Sequence, residues 1–309
     1  MALLFYSEYD DPEDWGRHLR EAIPGLDFRV WPAVGDPGEI DAAIVWKAPQ
    51  GELRKYPNLK LIVNLGAGVD SIVQDRSLPA GIPIVRIADP DMSRMMAQFV
   101  LAAVLRHYRD FVPFARAQKE RRWHYIHPRE APTCSVGVMG LGNLGAMAAS
   151  ELVRQGFKVA GWARSPKSLD GVESFHGNAG LAPFLARTEI LAVMLPLTPQ
   201  TEGILDAKAL ALLPRGAKII NVGRGRLVDE DALIAAIRSG QIAEATLDVF
   251  RTEPLPADSP LWDFDQVLVT PHLASVAIPR TAARQVAENL RRVRAGEPLI
   301  NAVDPQRGY

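Results

Sequence analysis

The chain has 309 residues, of which 48% are hydrophobic, and its 35 basic and 36 acidic side chains give a formal net charge of −1. This balance gives no support to a nucleic-acid or anionic-membrane partner, and no apolar run reaches the roughly 18 residues of a membrane-spanning helix. The single cysteine, Cys134, excludes an internal disulfide and favours a reducing compartment, so we predict a soluble cytoplasmic protein.

The first part of the chain alternates short apolar runs with helical segments. Residues 1–6 lack a basic leader and meet acidic residues at once, which predicts a strand over Ala2–Tyr6 and not a signal peptide. Asp11 and Pro12 are typical of a helix start, and that helix should end near Ala22. Further strands are predicted at residues 26–31, 42–46 and 59–64. Such alternation predicts a parallel sheet that helices cover on both faces.

A second module is predicted beyond a long helical segment, residues 92–119, whose apolar side chains recur at helical spacing. The length allows two hydrophobic cores, because one core rarely grows beyond about 250–300 residues. We predict a first domain of residues 1–97 and 281–309, with residues 98–280 inserted as a second domain. A last helix, residues 281–295, is expected to return to the first domain. In the second domain we predict strands near residues 189–195, 217–222, 243–249 and 267–269, and a helix between Asp229 and Gly240.

A glycine turn in the second domain has the context of a dinucleotide-binding fingerprint. The strand that starts at Ser135 leads into Gly140-x-Gly142-x-x-Gly145, and a helical apolar period follows as far as Arg154. Gly140 would permit the tight turn, Gly142 the close approach of a pyrophosphate, and Gly145 the packing of helix against strand. The helix N-terminus, with Asn143 and Leu144, would supply positive charge to the phosphates.

The end of the following strand, residues 157–162, indicates which dinucleotide binds. NAD-binding units place an acidic residue there to hold the ribose 2′-hydroxyl. This chain has Ala163, followed by Arg164, Ser165 and Lys167. The missing carboxylate removes a repulsion, and a guanidinium can pair with a 2′-phosphate. We therefore predict NADPH in preference to NADH, although a merely solvated basic loop is the alternative.

Three later loops carry polar side chains at the ends of predicted strands. They are Asn221-Val-Gly-Arg224-Gly, Asp248-Val-Phe-Arg-Thr-Glu253-Pro and Thr270-Pro-His272-Leu-Ala-Ser. In open α/β sheets, ligands bind outside the carboxyl ends of the strands. We expect the three loops to converge near the nicotinamide end of the cofactor.

Taken together with the glycine fingerprint, these motifs resemble the D-isomer-specific 2-hydroxyacid dehydrogenase family. The resemblance extends from Gly140 to His272, and the order of the modules matches over the whole chain. It implies an α/β fold with two doubly wound parallel-sheet domains, a flavodoxin-like substrate domain and an inserted Rossmann dinucleotide-binding domain. Within the family, reductases of glyoxylate and hydroxypyruvate are the most similar, on the segments Phe5-Tyr, Val45-Trp-Lys, Leu65-Gly-Ala-Gly-Val-Asp-Ser71 and the closing Arg-Gly-Tyr309.

The resemblance also implies three catalytic residues. Arg224 would bind the carboxylate of a 2-oxo acid and polarise its carbonyl oxygen. His272 would act as the general acid that protonates the developing alkoxide. Glu253 would orient the imidazole and stabilise its protonated form.

Further binding residues follow from the same resemblance. The backbone of Ala67, Gly68 and Val69, before Asp70 and Ser71, would form an anion nest for the substrate carboxylate. Trp46 and Lys47 would line the substrate pocket. The remaining cofactor contacts are assigned to Trp162, Leu195, Pro196, Thr198, Val222, Gly223 and Asp248.

The function that the resemblance implies is an NADPH-preferring reductase of small 2-oxo acids, with NAD also possible as cofactor. Two alternatives stay open: an NADH-using dehydrogenase of a bulkier 2-oxo acid, and a non-catalytic nucleotide-sensing protein. A homodimer is expected, with an arm around Trp123 crossing to the partner. His124 and His127 have no evident third ligand, so no metal site is predicted.

Overall fold

The computed structural model describes residues 1–73, 75–78 and 81–304. The closing Arg-Gly-Tyr309 segment, used above for the family resemblance, lies outside the described residues. Contacts divide the chain into two compact units, one of Met1–Met92 with Val276–Tyr309 and one of Ser93–Ser275. Each division falls five residues before the predicted boundary (97 − 92 and 280 − 275).

The first unit contains a five-stranded parallel sheet in the order β2-β1-β3-β4-β5. Its strands are β1 (Ala2–Tyr6), β2 (Asp27–Val30), β3 (Ile40–Val45), β4 (Leu61–Asn64) and β5 (Ile84–Arg86). Its helices are α1 (Pro12–Ala22), α2 (Asp70–Val73) and α9 (Pro279–Ala295). This strand order is that of flavodoxin-like folds, as predicted.

Helical segments cover both faces of this sheet, which explains why β1 and β4 are buried at every residue. On one face, Trp15 and Leu19 of α1 pack in one cluster with Val286 and Leu290 of α9. The last helix, α9, thus belongs to the first unit. Gly296 ends α9 with a left-handed φ of 67°, a conformation that glycine adopts without strain.

The second unit contains a seven-stranded parallel sheet in the order β12-β11-β10-β9-β6-β7-β8. Its strands are β6 (Ser135–Met139), β7 (Lys158–Ala163), β8 (Val172–His176), β9 (Ile190–Val193), β10 (Ala217–Asn221), β11 (Ile242–Leu247) and β12 (Val267–Val269). Its helices are α4 (Phe111–Lys119), α5 (Asn143–Arg154), α6 (Gly177–Leu185), α7 (Ala207–Leu212) and α8 (Glu230–Arg238), and α3 (Pro90–Tyr108) lies mostly within it. The chain order reverses between β6 and β9, which is the switch point where a Rossmann fold binds its dinucleotide.

The structure corrects the prediction of one continuous helix over residues 92–119. Two helices, α3 and α4, occupy this range, and Asp110 between them has a left-handed φ of 58°. A left-handed residue cannot continue an α-helix. Among the described residues, no helix combines the length and the hydrophobicity needed to cross a membrane.

Candidate active site

The glycine turn between β6 and α5 has the geometry that the fingerprint requires. Gly140 has a φ of 114°, and a Cβ there would lie 2.7 Å from the carbonyl oxygen of Met194. A Cβ on Gly145 would lie 1.8 Å from the Gly140 oxygen, so only glycine lets α5 pack this closely on the turn. At Gly142 an added Cβ meets no protein atom within 4 Å, which leaves space at the N-terminus of α5 for a phosphate.

Beyond β7 the surface is basic and lacks the carboxylate typical of NAD-binding units. Trp162 is buried, and its Nε1 donates a hydrogen bond to the Gly177 carbonyl over 3.0 Å. Arg164, Ser165 and Lys167 follow in an exposed segment. These exposed side chains lie at the end of β7, whereas the indole N–H of Trp162 is engaged within the protein.

The loops after β9 and β10 pack against each other at the carboxyl edge of the sheet. A Cβ on Gly223 would lie 2.9 Å from the Leu195 carbonyl oxygen, so glycine is required for this approach. Thr198 donates its backbone N–H to Thr201 Oγ1, and that hydroxyl donates to the Pro196 carbonyl over 2.7 Å. The predicted residues Leu195, Thr198 and Val222 are buried, whereas Pro196 is exposed.

Arg224 lies in a turn that the buried side chain of Asn221 braces. Asn221 Oδ1 accepts from the Gly223 N–H at 3.2 Å, and its Nδ2 donates to the Arg224 carbonyl at 3.1 Å. The guanidinium is half-buried and donates from Nη1 to the Gly223 carbonyl. A Cβ on Gly225 would lie 1.9 Å from the backbone of Phe250, so the turn is in contact with the loop after β11. The bracing role of Asn221 was not predicted, although a buried asparagine at the end of an apolar strand is a usable signal.

Asp248 holds the loop of residues 270–274 through three hydrogen bonds to its carboxylate. Thr270 Oγ1 donates to it at 2.6 Å, and the backbone N–H groups of Leu273 and Ala274 each donate at 2.9 Å. His272, in the middle of this loop, has a left-handed φ of 55°. Such a conformation costs free energy in a residue other than glycine, and the hydrogen bonds to Asp248 compensate for it. The predicted contact of Asp248 with nicotinamide stays a prediction, since a carboxylate can accept further bonds.

Glu253 and His272 form a hydrogen-bonded pair. Glu253 Oε2 lies 2.8 Å from His272 Nδ1, and its Oε1 accepts from the Phe250 N–H at 3.0 Å. Both side chains are about one-fifth exposed, at 19% and 21%. Nδ1 of His272 is thereby engaged within the protein. The contacts of Phe250 with Gly225 and with Glu253 bring all three predicted catalytic loops together within the second unit.

The predicted substrate residues of the first unit follow β3 and β4. The Trp46 ring packs onto the loop of residues 65–69, where a Cβ on Gly66 would lie 2.4 Å from it. Lys47 is exposed, has a φ of 52°, and places Nζ 5.7 Å from the centre of the Trp46 ring. Val69 is buried, and α2 begins directly after it at Asp70.

The geometry does not support a metal site or a reactive cysteine in the described residues. Within residues 1–73, 75–78 and 81–304, no group of three or more His, Cys, Asp or Glu side chains could hold a metal ion. Cys134 is buried at the start of β6, and burial raises the pKa of its thiol to about 11. A thiol with this pKa is protonated at neutral pH and therefore packs as an apolar group.

Comparison with known proteins relates this geometry to a family. The sequence model for the NAD binding domain of D-isomer specific 2-hydroxyacid dehydrogenases matches residues 101–274. A glyoxylate/hydroxypyruvate reductase A of Yersinia enterocolitica is 40% identical over 314 residues, with all of both chains covered.

Two solved structures are similar over the whole chain. A D-isomer specific 2-hydroxyacid dehydrogenase from Xanthobacter autotrophicus Py2, in complex with NADPH and MES, is 60% identical with a TM-score of 0.94, covering 100% of this chain and 99% of that one. An NADPH-dependent glyoxylate/hydroxypyruvate reductase from Sinorhizobium meliloti, in complex with NADP and sulfate, is 36% identical with a TM-score of 0.93, at the same coverages.

Proposed function

The chain belongs to the D-isomer specific 2-hydroxyacid dehydrogenase family, and we propose that it is an NADPH-preferring reductase of small 2-oxo acids. It would reduce glyoxylate to glycolate and hydroxypyruvate to glycerate. The observation that carries the proposal is the Glu253–His272 pair, held beside the Arg224 turn. The same unit has Ala163 and Arg164, and no acidic residue, directly at the end of β7. The names of the relatives in Yersinia enterocolitica and Sinorhizobium meliloti support the substrate class.

The geometry suggests how the side chains perform the reaction. NADPH, when bound, supplies the hydride that reduces the substrate carbonyl carbon. Arg224 offers a planar pair of donors to the substrate carboxylate and carbonyl oxygen, and so stabilises negative charge as it develops. His272 donates a proton from Nε2 to that oxygen. Glu253 fixes the orientation of the imidazole ring and stabilises the imidazolium that donates the proton.

We also propose that the 65–69 loop binds the substrate carboxylate through backbone N–H groups. Among the described residues, the N–H groups of Ala67, Gly68 and Val69 donate to no protein acceptor. Backbone donors at buried or half-buried positions are almost always paired, so a ligand is expected to satisfy them. The proposed contributions of Trp46 and Lys47 to the substrate pocket rest on their position against this loop.

A direct assay tests the proposed function. Purified protein would be mixed with NADPH or NADH and with glyoxylate, hydroxypyruvate or a bulky aryl 2-oxo acid, and the loss of reduced-cofactor absorbance followed. We expect fast, NADPH-dependent turnover of the two small acids. Tight NADPH binding without turnover of any 2-oxo acid would contradict the proposal and favour a nucleotide-sensing protein.

Substitution of Arg164 by alanine should change the choice of cofactor. Loss of a charge-assisted pair with a 2′-phosphate should weaken NADPH binding by about 10- to 100-fold while leaving NADH binding nearly unchanged. Fluorescence titration of both nucleotides against the variant measures this difference. Arg154→Ala, an exposed arginine at the end of α5, is the matched control. An equal loss of affinity for both nucleotides would show that Arg164 does not select NADPH over NADH.

We propose a homodimer in which the arm of residues 122–130 contacts a second copy of the chain. This arm has no helix or strand, and its Trp123 and Tyr125 are 96% and 75% exposed. Large aromatic side chains clustered at a surface are typical of interfaces. A cytoplasmic location is part of the same proposal, and the reduced, buried Cys134 is compatible with it.

Sedimentation velocity tests the dimer. The wild-type chain should sediment as a dimer, and the double variant Trp123→Ser, Tyr125→Ser should shift toward the monomer. Trp262→Ser is the matched control, because Trp262 is half exposed and lies in the 3₁₀ helix Pro260–Asp263, outside the arm. A wild-type monomer, or a dimer that the double variant leaves intact, would exclude the arm as the interface.

A further inference from the structure

Three successive carbonyl groups of the 65–69 loop are held by side chains of the same unit. Asn64 Nδ2 donates to the Gly66 carbonyl at 2.7 Å and to the Gly68 carbonyl at 2.9 Å. Arg86 Nη1 donates to the carbonyl between them, that of Ala67, at 3.3 Å. The direction of all three peptide groups is thereby fixed from behind the loop.

Because the peptide unit is planar, the direction of each held carbonyl also fixes the direction of the N–H group of the next residue. In a trans peptide, the N–H of each residue points opposite to the carbonyl of the residue before it. The three held carbonyls therefore direct the N–H groups of Ala67, Gly68 and Val69 away from Asn64 and Arg86. These are the same three donors that have no protein acceptor among the described residues. Adjacent N–H groups turned to one side make a concavity that suits an anion.

Asn64 is unusual for its place in the sheet. It is fully buried at the end of β4, where the other residues, Leu61, Ile62 and Val63, are apolar. Both amide protons are used on carbonyl groups, which fixes the amide orientation, since the side-chain oxygen could not donate to either. In the described part of the chain, Oδ1 has no hydrogen-bond partner. Burial of an unpaired acceptor lowers stability, so the requirement for an asparagine here lies in its two donated bonds.

We propose that Asn64, assisted by Arg86, is a positioning residue that keeps the N–H groups of the 65–69 loop directed at the carboxylate of the 2-oxo acid. The inference rests on the proposed function of this loop. Asn64 touches neither substrate nor cofactor in this role. Its loss should therefore weaken substrate binding without changing the affinity for NADPH.

The test replaces Asn64 by aspartate, which has the same shape but donates no hydrogen bond and repels the two carbonyl groups. We expect Asn64→Asp to raise KM for glyoxylate about tenfold, in line with the loss of charge-assisted hydrogen bonds to the substrate. We expect kcat and KM for NADPH to stay within about twofold, since neither depends on this loop's donors. Titration calorimetry of the NADPH-loaded protein with oxalate, a dicarboxylate that cannot be reduced, should show a parallel loss of affinity.

Two further variants keep the test decisive. Asn64→Ala removes the donors without burying a charge, and it replaces Asn64→Asp if that variant does not fold. Asn289→Ala is the matched control, because Asn289 is also fully buried in the first unit and also bonds backbone groups, those of Ile300. The control should lose thermal stability and keep the wild-type KM for glyoxylate.

The outcomes separate this inference from the proposed function. Asn64 variants that fold and bind oxalate as the wild type does would overturn the inference, as would equal losses for oxalate and NADPH. A wild type that reduces no 2-oxo acid would contradict the proposed function, and the oxalate titration would still decide the role of Asn64. A wild type that binds no oxalate would overturn the inference as well.

Discussion

Replacement of His272 by alanine is expected to lower kcat for glyoxylate reduction by about 10²–10⁴-fold, the usual contribution of a general acid. The physical reason is that Nδ1 is engaged by Glu253 at 2.8 Å, so that Nε2 is the ring nitrogen that would donate the proton to the substrate. The loss should appear in kcat, because proton donation matters only as the alkoxide forms. Steady-state NADPH oxidation measures kcat, and fluorescence titration should show an NADPH affinity close to that of the wild type.

His18 supplies the control for this variant. Its side chain is 19% exposed, close to the 21% of His272, and its Nδ1 lies 3.2 Å from a carboxylate oxygen of Glu21. His18 lies in α1 of the first unit, and no predicted site residue belongs to this helix. His18→Ala should therefore keep wild-type turnover. Full activity of His272→Ala in the same assay would show that another group donates the proton.

Glu253 gives a graded form of the same experiment. Glu253→Gln can keep a hydrogen bond to the ring but removes the negative charge that stabilises the imidazolium. We therefore expect a smaller loss of kcat than in His272→Ala, measured in the same NADPH oxidation assay. The comparison distinguishes orientation of the ring from stabilisation of its charge.

The alternation of strands and helices in this chain could be predicted because most strands are buried on both faces. Continuous apolar runs such as those of β1 (5 residues) and β9 (4 residues) are too short for a typical helix, and their length therefore favours buried strands. The edge strand β8 was missed, since Glu173, Ser174 and His176 are exposed and interrupt the apolar pattern. Edge strands tolerate such residues because one of their sides faces solvent.

The motifs of the active site could be predicted, but the hydrogen bonds that brace them could not. Motif spacing locates Arg224, Glu253 and His272 at the ends of β10, β11 and β12. It does not show that Asp248 binds the 270–274 loop or that Asn64 binds the 65–69 loop, because a short polar side chain has several local partners in sequence. Only the three-dimensional arrangement decides which partner it takes.

The left-handed backbone of His272 illustrates the same limit. Histidine is enriched among residues with positive φ, but only a small minority of histidines adopt it, so the value of 55° could not be inferred from the sequence. The strain is local, and the N–H of His272 is held by the Asp248 carbonyl at 2.9 Å while the next two N–H groups bind the carboxylate. We infer that the position of the imidazole is set before substrate arrives, which lowers the cost of orienting it.

Replacement of Arg224 by alanine is the second prediction with a large expected effect. It should lower kcat/KM for glyoxylate by about 10²–10³-fold, the typical effect of removing a donor that stabilises a developing oxyanion. The turn that carries Arg224 is fixed independently of the guanidinium, by Asn221 and by the contact of Gly225 with Phe250. Truncation should therefore remove the charge without moving the backbone, and the melting temperature should change little.

Lysine at the same position separates charge from geometry. Arg224→Lys keeps the positive charge but loses the planar pair of donors that matches a carboxylate, so only a small part of the activity should return. Arg226→Lys is the matched control, two residues along in an exposed position where the side chain pairs with Glu202. This control should retain wild-type kcat/KM.

Measurement of kcat/KM with glyoxylate, together with NADPH affinity, decides between the explanations. Full activity in Arg224→Lys would mean that a simple positive charge suffices and that the planar fork has no role. Equal losses in NADPH affinity and in kcat/KM would instead assign Arg224 to the cofactor. A loss confined to kcat/KM, largest in the alanine variant, is the result that we expect, because the guanidinium is then needed only where the substrate becomes charged.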